Sequence, residues 1–185
     1  MLSLESLNVV LSSYAERGDP DDAVEVLNVM TKNDIEPNAD SYSFIIEAMG
    51  RGIKKRQKSE DHDFMQRNIE IADTILSMME EKGISPNTHL IRNYVELLCL
   101  AGECKTATSL VEDYLSSSDI EIFNTINNTT IHRVASEELR LGDFERAKVL
   151  ALQMTEYVPA LHRKIRSKEE RYLYLQENGL EAPPE

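Results

Sequence analysis

The chain of 185 residues contains no tryptophan, 6% aromatic residues and only two cysteines. Its core must therefore be built from aliphatic side chains and methionine. Cys99 and Cys104 are too few, and wrongly spaced, for a disulfide framework or a four-ligand zinc site, so we interpret them as buried or half-buried thiols in a reducing compartment. No apolar run approaches the roughly 20 residues of a membrane-spanning helix, which predicts no membrane insertion.

Basic residues are also scarce, with 20 Lys and Arg against 33 Asp and Glu and a net charge of −13. Such a charge repels nucleic acid and anionic membranes on average. The distribution is uneven, because residues 1–50 contain ten acids and only Arg17 and Lys32 as cations. We expect any polyanion contact at two basic runs, HRKIRSKEER near the C-terminus and a segment that contains Arg51, Lys54, Lys55, Arg56 and Lys58. A solvated loop is the alternative for that segment.

Residues with the spacing of a catalytic or metal site are lacking. His89, His132 and His162 have no Ser, Cys or acid at triad-like spacing, and no glycine-rich phosphate loop occurs. Glu60–Asp63 (EDHD) resembles a metal cluster only in composition, because four consecutive side chains point in different directions. The sequence predicts no enzyme, no metal site, no cofactor and no small-molecule substrate. The N-terminal MLSLESLNVV also lacks the features of a signal or transit peptide, so either the protein acts where it is made or a targeting segment is missing.

Helical periodicity is present along most of the chain. Apolar residues recur at i, i+3, i+4 and i+7, first as Leu7, Val10, Leu11 and Tyr14 and then, after Gly18 and Asp19-Pro20, as Ala23, Val26, Leu27 and Met30. Gly18 suits the end of one helix, while Asp19 suits the N-cap and Pro20 the first turn of the next. Ile35-Glu36-Pro37-Asn38 is a stop signal. The unit is a helical hairpin.

The same hairpin recurs three more times. Its ending EPN is matched by SPN at Ser85–Asn87, Gly102 takes the place of Gly18, and Ala72 and Ala107 are 107 − 72 = 35 residues apart. The fourth unit is weaker, since Glu138 interrupts its stripe and Pro159 is expected to end its second helix. Between the helices of the second unit lies a polar insertion, residues 52–65, which we interpret as an exposed loop or a ragged helix extension.

Hairpins with equivalent apolar stripes must bury them against one another. We therefore predict an all-α fold, an α-solenoid forming a right-handed superhelix of stacked helical hairpins. Residues 1–176 are expected to form one domain, and residues 177–185 a flexible tail. The repeats span residues 4–38, 39–87 with the insertion, 88–120 and 128–159, and a capping helix spans residues 160–176.

The units with Tyr42-Ser43 near the start, a Gly18-type turn and an ending of the type Gly-Ile-x-Pro-Asn resemble pentatricopeptide repeats. The last unit, with Gly142-Asp143-Phe144, Ala147 and Pro159, resembles a tetratricopeptide repeat equally well. The resemblance implies binding of single-stranded RNA in a mitochondrion or chloroplast, one base per repeat, in RNA processing or translation.

In that family the fifth and last residues of each repeat select the base. The resemblance therefore implies base-selecting roles for Asn8 with Asn38 and for Ser43 with Asn87. In the third repeat it offers Arg92 without a clear closing residue. An asparagine before a helix is also favoured as a cap, which is the alternative role of Asn38 and Asn87.

Two acids argue for a second function. The family's second repeat position is usually an aliphatic residue that packs on the base, and here it is Glu5 and Asp40. Stacking contributes about 1–3 kcal/mol per base, so two repeats supply about 2–6 kcal/mol and only weak binding is expected. Protein partners or further repeats are therefore expected as well, and the alternative function is a protein–protein interaction scaffold or assembly subunit without RNA reading.

Overall fold

The computed structural model describes residues 2–56, 62–117, 126–154 and 159–177. These ranges contain nine helices and no strand. In chain order the helices are α1 Leu4–Arg17, α2 Pro20–Lys32, α3 Ala39–Arg56, α4 His62–Glu81, α5 Thr88–Leu100, α6 Cys104–Leu115, α7 Asn128–Leu141, α8 Phe144–Leu152 and α9 Pro159–Glu177.

The helices form four hairpins, α1–α2, α3–α4, α5–α6 and α7–α8. The first helices pack side by side in the order α1, α3, α5, α7, and each second helix packs on its own hairpin partner. The first helices thus form an inner layer and the second helices an outer layer. This arrangement confirms the predicted α-solenoid. Among the described helices, none is both long and apolar enough to cross a lipid bilayer.

Most residues of the apolar stripes are buried or half-buried between neighbouring hairpins, and Val10 of α1 is exposed. Leu7 and Leu11 are buried as predicted, but Val10 is 40% exposed. The equivalent residues of the next three hairpins, Ile45, Tyr94 and Val134, are all buried. The prediction for Val10 is wrong because that position is covered by the preceding hairpin in the later units, whereas α1 packs only on α2 and α3.

Most of the predicted insertion is helical. Helix α3 continues to Arg56 and α4 begins at His62, while residues 57–61 lie outside the described ranges. Gly52, Ile53 and Phe64 are buried, so the exposed-loop interpretation is wrong for them. Of the two alternatives, helix extension fits the described part of residues 52–65.

Gly52 of α3 lies against the turn of the first hairpin. A Cβ atom at Gly52 would lie 3.0 Å from the Gly18 carbonyl oxygen and 3.3 Å from Cδ of Pro20. Gly18 ends α1 in the left-handed conformation with φ 64°, which glycine adopts without strain. The turn predicted from Gly18 is therefore also a packing contact.

The C-terminal end of the solenoid departs from the prediction at Pro159. Helix α8 ends at Leu152, and Pro159 is the first residue of α9, where a proline lacking an N–H is tolerated. The predicted helix at residues 160–176 is present as α9, which packs on α7 and α8 and buries Leu161 and Ile165. Of the predicted tail, residues 177–185, Glu177 belongs to α9 and the rest lies outside the described ranges.

A buried hydrogen bond explains the charged residue in the apolar stripe of the fourth hairpin. Glu138, which interrupts the fourth stripe, is 3% exposed and hydrogen-bonds Thr108 of α6.

Cys99 and Cys104 are free, buried thiols, as the sequence predicted. Burial raises the pKa of Cys99 to about 12, so this thiol remains protonated and unreactive near neutral pH.

Candidate nucleic-acid interface

The fifth position of each repeat lies on a first helix and the closing asparagine lies immediately before the next one. The fifth positions are Asn8, Ser43, Arg92 and His132, on α1, α3, α5 and α7. Because these four helices pack side by side, the four positions form one row along the inner layer. We call these four residues the inner row.

The structure brings Asn8 and Asn38 together. Asn8 Nδ2 donates a hydrogen bond to Asn38 Oδ1 at 3.3 Å, and Ser41 Oγ donates to Asn8 Oδ1 at 2.6 Å. Asn38 also caps α3, because its Oδ1 accepts from the Ser41 N–H at 3.0 Å. All three contacts are half-buried at the start of the second hairpin. The predicted pair and the predicted cap are therefore one hydrogen-bonded group.

Ser43 and Asn87 have different partners. Ser43 is fully buried, and its Oγ lies 2.9 Å from His89 Nδ1. Asn87 caps α5 by accepting from the Leu90 N–H at 2.8 Å, and its Nδ2 donates to Asp40 Oδ1 at 2.7 Å. The capping role of Asn87 is thus confirmed, while base selection by Ser43 with Asn87 stays a prediction.

His89 is held between two inner helices. Its Nδ1 contacts Ser43, its Nε2 lies 3.3 Å from Asn93 Nδ2, and Nε2 is 3.4 Å from a Glu47 carboxylate oxygen. The tautomer with its proton on Nδ1 satisfies the first two contacts, because Asn93 can then donate to Nε2. Desolvation lowers the pKa of His89, which favours this neutral ring. Ser43 is therefore held in place by a neutral histidine.

Asn127 closes the third repeat, a role that the sequence analysis missed. Its side chain caps α7 by accepting from the Thr130 N–H at 3.0 Å, in the same way that Asn38 accepts from Ser41. The sequence signal for this cap is an asparagine three residues before a hydroxyl residue. Asn127 precedes Thr130 by this spacing, as Asn38 precedes Ser41. Asn127 lies just after residues 118–125, which are outside the described ranges. Each hairpin junction thus carries an asparagine cap.

The second repeat position is acidic in the first two hairpins, and both residues are exposed. Hydrogen bonds from its own backbone amide and from Ser3 lower the pKa of Glu5, so it is a carboxylate at neutral pH. Asp40 accepts the hydrogen bond from Asn87. Both acids repel phosphate beside the inner row.

Comparison with known proteins identifies the repeat. Residues 3–51 match the model of the PPR repeat family. A mitochondrial pentatricopeptide repeat-containing protein of Arabidopsis thaliana is 29% identical over 85 residues, which cover 46% of this chain. Over residues 3–51 this chain is therefore similar to pentatricopeptide repeats. It spans only 14% of the length of that relative.

Two solved structures share the fold of this chain. The maize pentatricopeptide repeat protein PPR10 has a TM-score of 0.62 at 16% identity, over 99% of this chain and 26% of PPR10. The nuclear protein-only RNase P 2 of Arabidopsis thaliana has a TM-score of 0.66 at 17% identity, over 94% of this chain and 38% of that one. At these identities the likeness concerns the fold alone.

The basic segment predicted to contact a polyanion is partly neutralised. Arg51 pairs with Glu47 at 2.5 Å, and Lys54 Nζ pairs with Glu96 at 2.6 Å. The Arg56 guanidinium lies 3.8 Å from the centre of the Phe64 ring, and Lys55 is exposed. Lys58 lies outside the described residues, as do residues 60 and 61 of the acidic run. Within the described ranges no group of three metal-ligating side chains occurs.

Proposed function

We propose that this chain is a pentatricopeptide repeat protein that binds single-stranded RNA weakly along its inner layer, as part of a longer array or of a complex. The contact between Asn8 and Asn38 carries the proposal, because it joins the two side chains to which the family resemblance assigns base selection. Both are half-buried and their amides have further hydrogen-bonding capacity for a base edge. Arg92 and Asn127 hold the corresponding fifth and closing positions of the third repeat.

The expected affinity is low for two reasons. Stacking and base contacts from two or three repeats contribute about 1–3 kcal/mol each, which leaves little after the cost of association. Glu5 and Asp40 oppose phosphate, and the net charge of −13 gives little gain from counterion release. Further repeats or a protein partner must supply the remainder.

We further propose that the protein acts in organellar RNA processing or translation and has no catalytic centre of its own. The mitochondrial name of the Arabidopsis relative supports the mitochondrion. A chloroplast location follows only from the wider family resemblance. The RNase P likeness concerns 38% of that enzyme's chain and carries no reaction to this one.

Fluorescence anisotropy with short single-stranded RNAs at low salt tests base reading. Asn8→Ala and Asn38→Ser are expected to shift the preference among RNA sequences by about tenfold, which is the order of one lost base contact. Asn28→Ala is the matched control, because Asn28 is exposed on α2 and bonds only Glu25 among the described residues. Ser43→Ala tests the second pair in the same way. Unchanged preferences in all three inner-layer variants contradict base reading.

The second candidate is a protein-binding scaffold without RNA reading. Its specific support is that Glu47 and Glu96 occupy the middle of the inner helices and pair with Arg51 and Lys54. These ion pairs leave the central inner surface with little free positive charge. A pull-down from organellar extract with and without nuclease separates the candidates, because protein partners that survive nuclease favour the scaffold.

A further inference from the structure

Ser43 differs in exposure from the other residues of the inner row. Ser43 is 0% exposed, whereas Asn8 and Arg92 are half-buried and His132 is exposed. All four occupy the same repeat position on neighbouring first helices. A protein reads an RNA base through polar groups that the edge of the base can reach. The repeat position alone therefore does not explain why Ser43 is buried.

The Ser43 hydroxyl is covered by two side chains of α5. His89 Nδ1 lies 2.9 Å from Ser43 Oγ, and Asn93 Nδ2 lies 3.4 Å from the same oxygen. With the His89 proton on Nδ1, both groups donate, and a serine oxygen has two lone pairs. A base that donates to Ser43 would break one hydrogen bond within the protein for each one that it makes, so it would gain little.

The ring of His89 is held in place from several sides. Asn93 Nδ2 lies 3.3 Å from His89 Nε2, and a Glu47 carboxylate oxygen lies 3.4 Å from the same nitrogen. The rings of Phe44 and His89 meet edge to face, with their centroids 6.2 Å apart. These contacts keep the imidazole over Ser43, which is therefore covered by an ordered side chain.

The residue type at the second repeat position explains why Ser43 alone in the row is fully buried. His89 occupies this position in the hairpin that follows Ser43. In the hairpins that follow Asn8 and Arg92, the same position is Asp40 and Thr129, and both of these residues are exposed. Full burial of a fifth position thus coincides with a histidine at the second position of the next repeat.

The closing residue of the second repeat also has other partners. Asn87 accepts from the Leu90 N–H, and its Nδ2 donates to Asp40 at 2.7 Å. In the first repeat, by contrast, Asn8 and Asn38 are hydrogen-bonded to each other. The fifth and closing residues of the second repeat are therefore bound separately, each to residues outside the pair.

We propose that His89 prevents the second repeat from selecting a base, because it covers Ser43. With one base per repeat, as the family resemblance implies, RNA along the inner row is then selected at the bases of the first and third repeats. Any base is accepted between them. The inference rests on the proposed RNA function and adds to it a pattern of specificity and the residue that determines this pattern.

The test is a double-mutant cycle between His89 and Ser43. Anisotropy at low salt gives the affinities of short single-stranded RNAs in which each position is varied in turn through the four bases. The positions whose base preference changes in Asn8→Ala and in Arg92→Ala mark the first and third bases. The base between them belongs to the second repeat. Circular dichroism and thermal unfolding establish that each variant is folded.

The wild type and Ser43→Ala are expected to bind equally well whichever base lies at the middle position. His89→Ala should discriminate among the four bases there by about fivefold, the order of one hydrogen bond. Adding Ser43→Ala to His89→Ala should abolish this discrimination. His89→Thr introduces the residue of the fourth repeat and uncovers Ser43 in the same way if the alanine variant does not fold. His62→Ala, which changes an exposed histidine at the start of α4, is the control and should match the wild type.

Three results would overturn the inference while RNA binding itself stands. The first is a middle-base preference of the wild type that Ser43→Ala removes, because Ser43 would then read a base despite His89. The second is a lack of new discrimination in both folded His89 variants. The third is new discrimination that persists after Ser43→Ala. Wild-type protein and variants that all bind no RNA contradict the proposed function instead, and with it the inference that rests on it.

Discussion

A Cβ atom at Gly52 would lie 3.0 Å from the carbonyl oxygen of Gly18, across the contact between the first two hairpins. Gly50, two residues earlier on the same helix, has open space at its Cβ position. Helix α3 therefore contains two buried glycines, of which one is required by a close backbone approach and one is not.

Gly52→Ala is expected to destabilise the protein by about 1 kcal/mol. Alanine gains about 1 kcal/mol in helix propensity, but overpacking against the Gly18 carbonyl costs about 1–3 kcal/mol. Gly50→Ala has only the gain and should stabilise by about 0.5–1 kcal/mol. Urea denaturation of both variants gives the comparison. Equal effects would show that the Gly18 contact does not limit packing.

Thr108→Val should destabilise the core by about 1–3 kcal/mol, because it leaves the buried Glu138 carboxyl group without its hydroxyl partner. The double variant Thr108→Val with Glu138→Leu should recover much of the loss, since an apolar pair needs no hydrogen bond. Thr106→Val, exposed on the same helix, is the control. Additive losses in the double variant would contradict a coupled pair.

Protonation of His89 should lower stability. Desolvation is the largest cause of its depressed pKa, Arg92 and Arg51 act in the same direction, and Glu47 and Asp40 oppose them. Below its ordinary pKa of 6.5 the unfolded chain takes up a proton that the folded ring excludes. The free energy of unfolding should therefore fall as pH drops from about 6.5 through the folded pKa.

The measurement is the difference between wild type and His89→Gln in unfolding free energy from pH 7.5 to 5. The variant lacks this proton uptake, so its curve should be flatter over that window. A steeper curve for His89→Gln would mean that the folded state favours the charged ring.

Variants of the three junction asparagines should separate the effect of helix capping on stability from the effect of base selection on RNA preference. Asn38→Ala, Asn87→Ala and Asn127→Ala should each cost about 1 kcal/mol, because each removes the acceptor of a helix cap. The corresponding serine variants keep a capping oxygen and should stay near wild-type stability. Thermal unfolding gives the stabilities, and RNA titrations of the serine variants give the base preference at equal stability. Equal stability of the alanine and serine series would exclude capping.

Local patterns predicted most of the helices because stripes, glycine turns and proline stops are short-range signals. The polarity of residues 54–58 hid the extension of α3, since the buried Gly52 and Ile53 are too few to show a stripe. Val10 was misassigned for a different reason. Its stripe position is correct, but its burial depends on a neighbouring hairpin and not on its own helix.

The candidate site was less predictable because its contacts join distant residues. Asn8 with Asn38 came from the family resemblance, and the structure brings the pair together. The burial of Ser43 by His89 spans 46 residues and has no local signature. Asn127 was missed because the ending of its repeat departs from the Pro-Asn form of the first two.

The asparagine at each hairpin junction belongs to two repeats at once, as the last residue of one and the cap of the next helix. A substitution that alters base preference there also alters how firmly the following hairpin begins. On the proposed RNA function, a closing residue that reads a base must also cap a helix, which favours Asn, Asp, Ser and Thr. At Asn38, Asn87 and Asn127 the cap alone already explains why asparagine is suitable, before any RNA is bound.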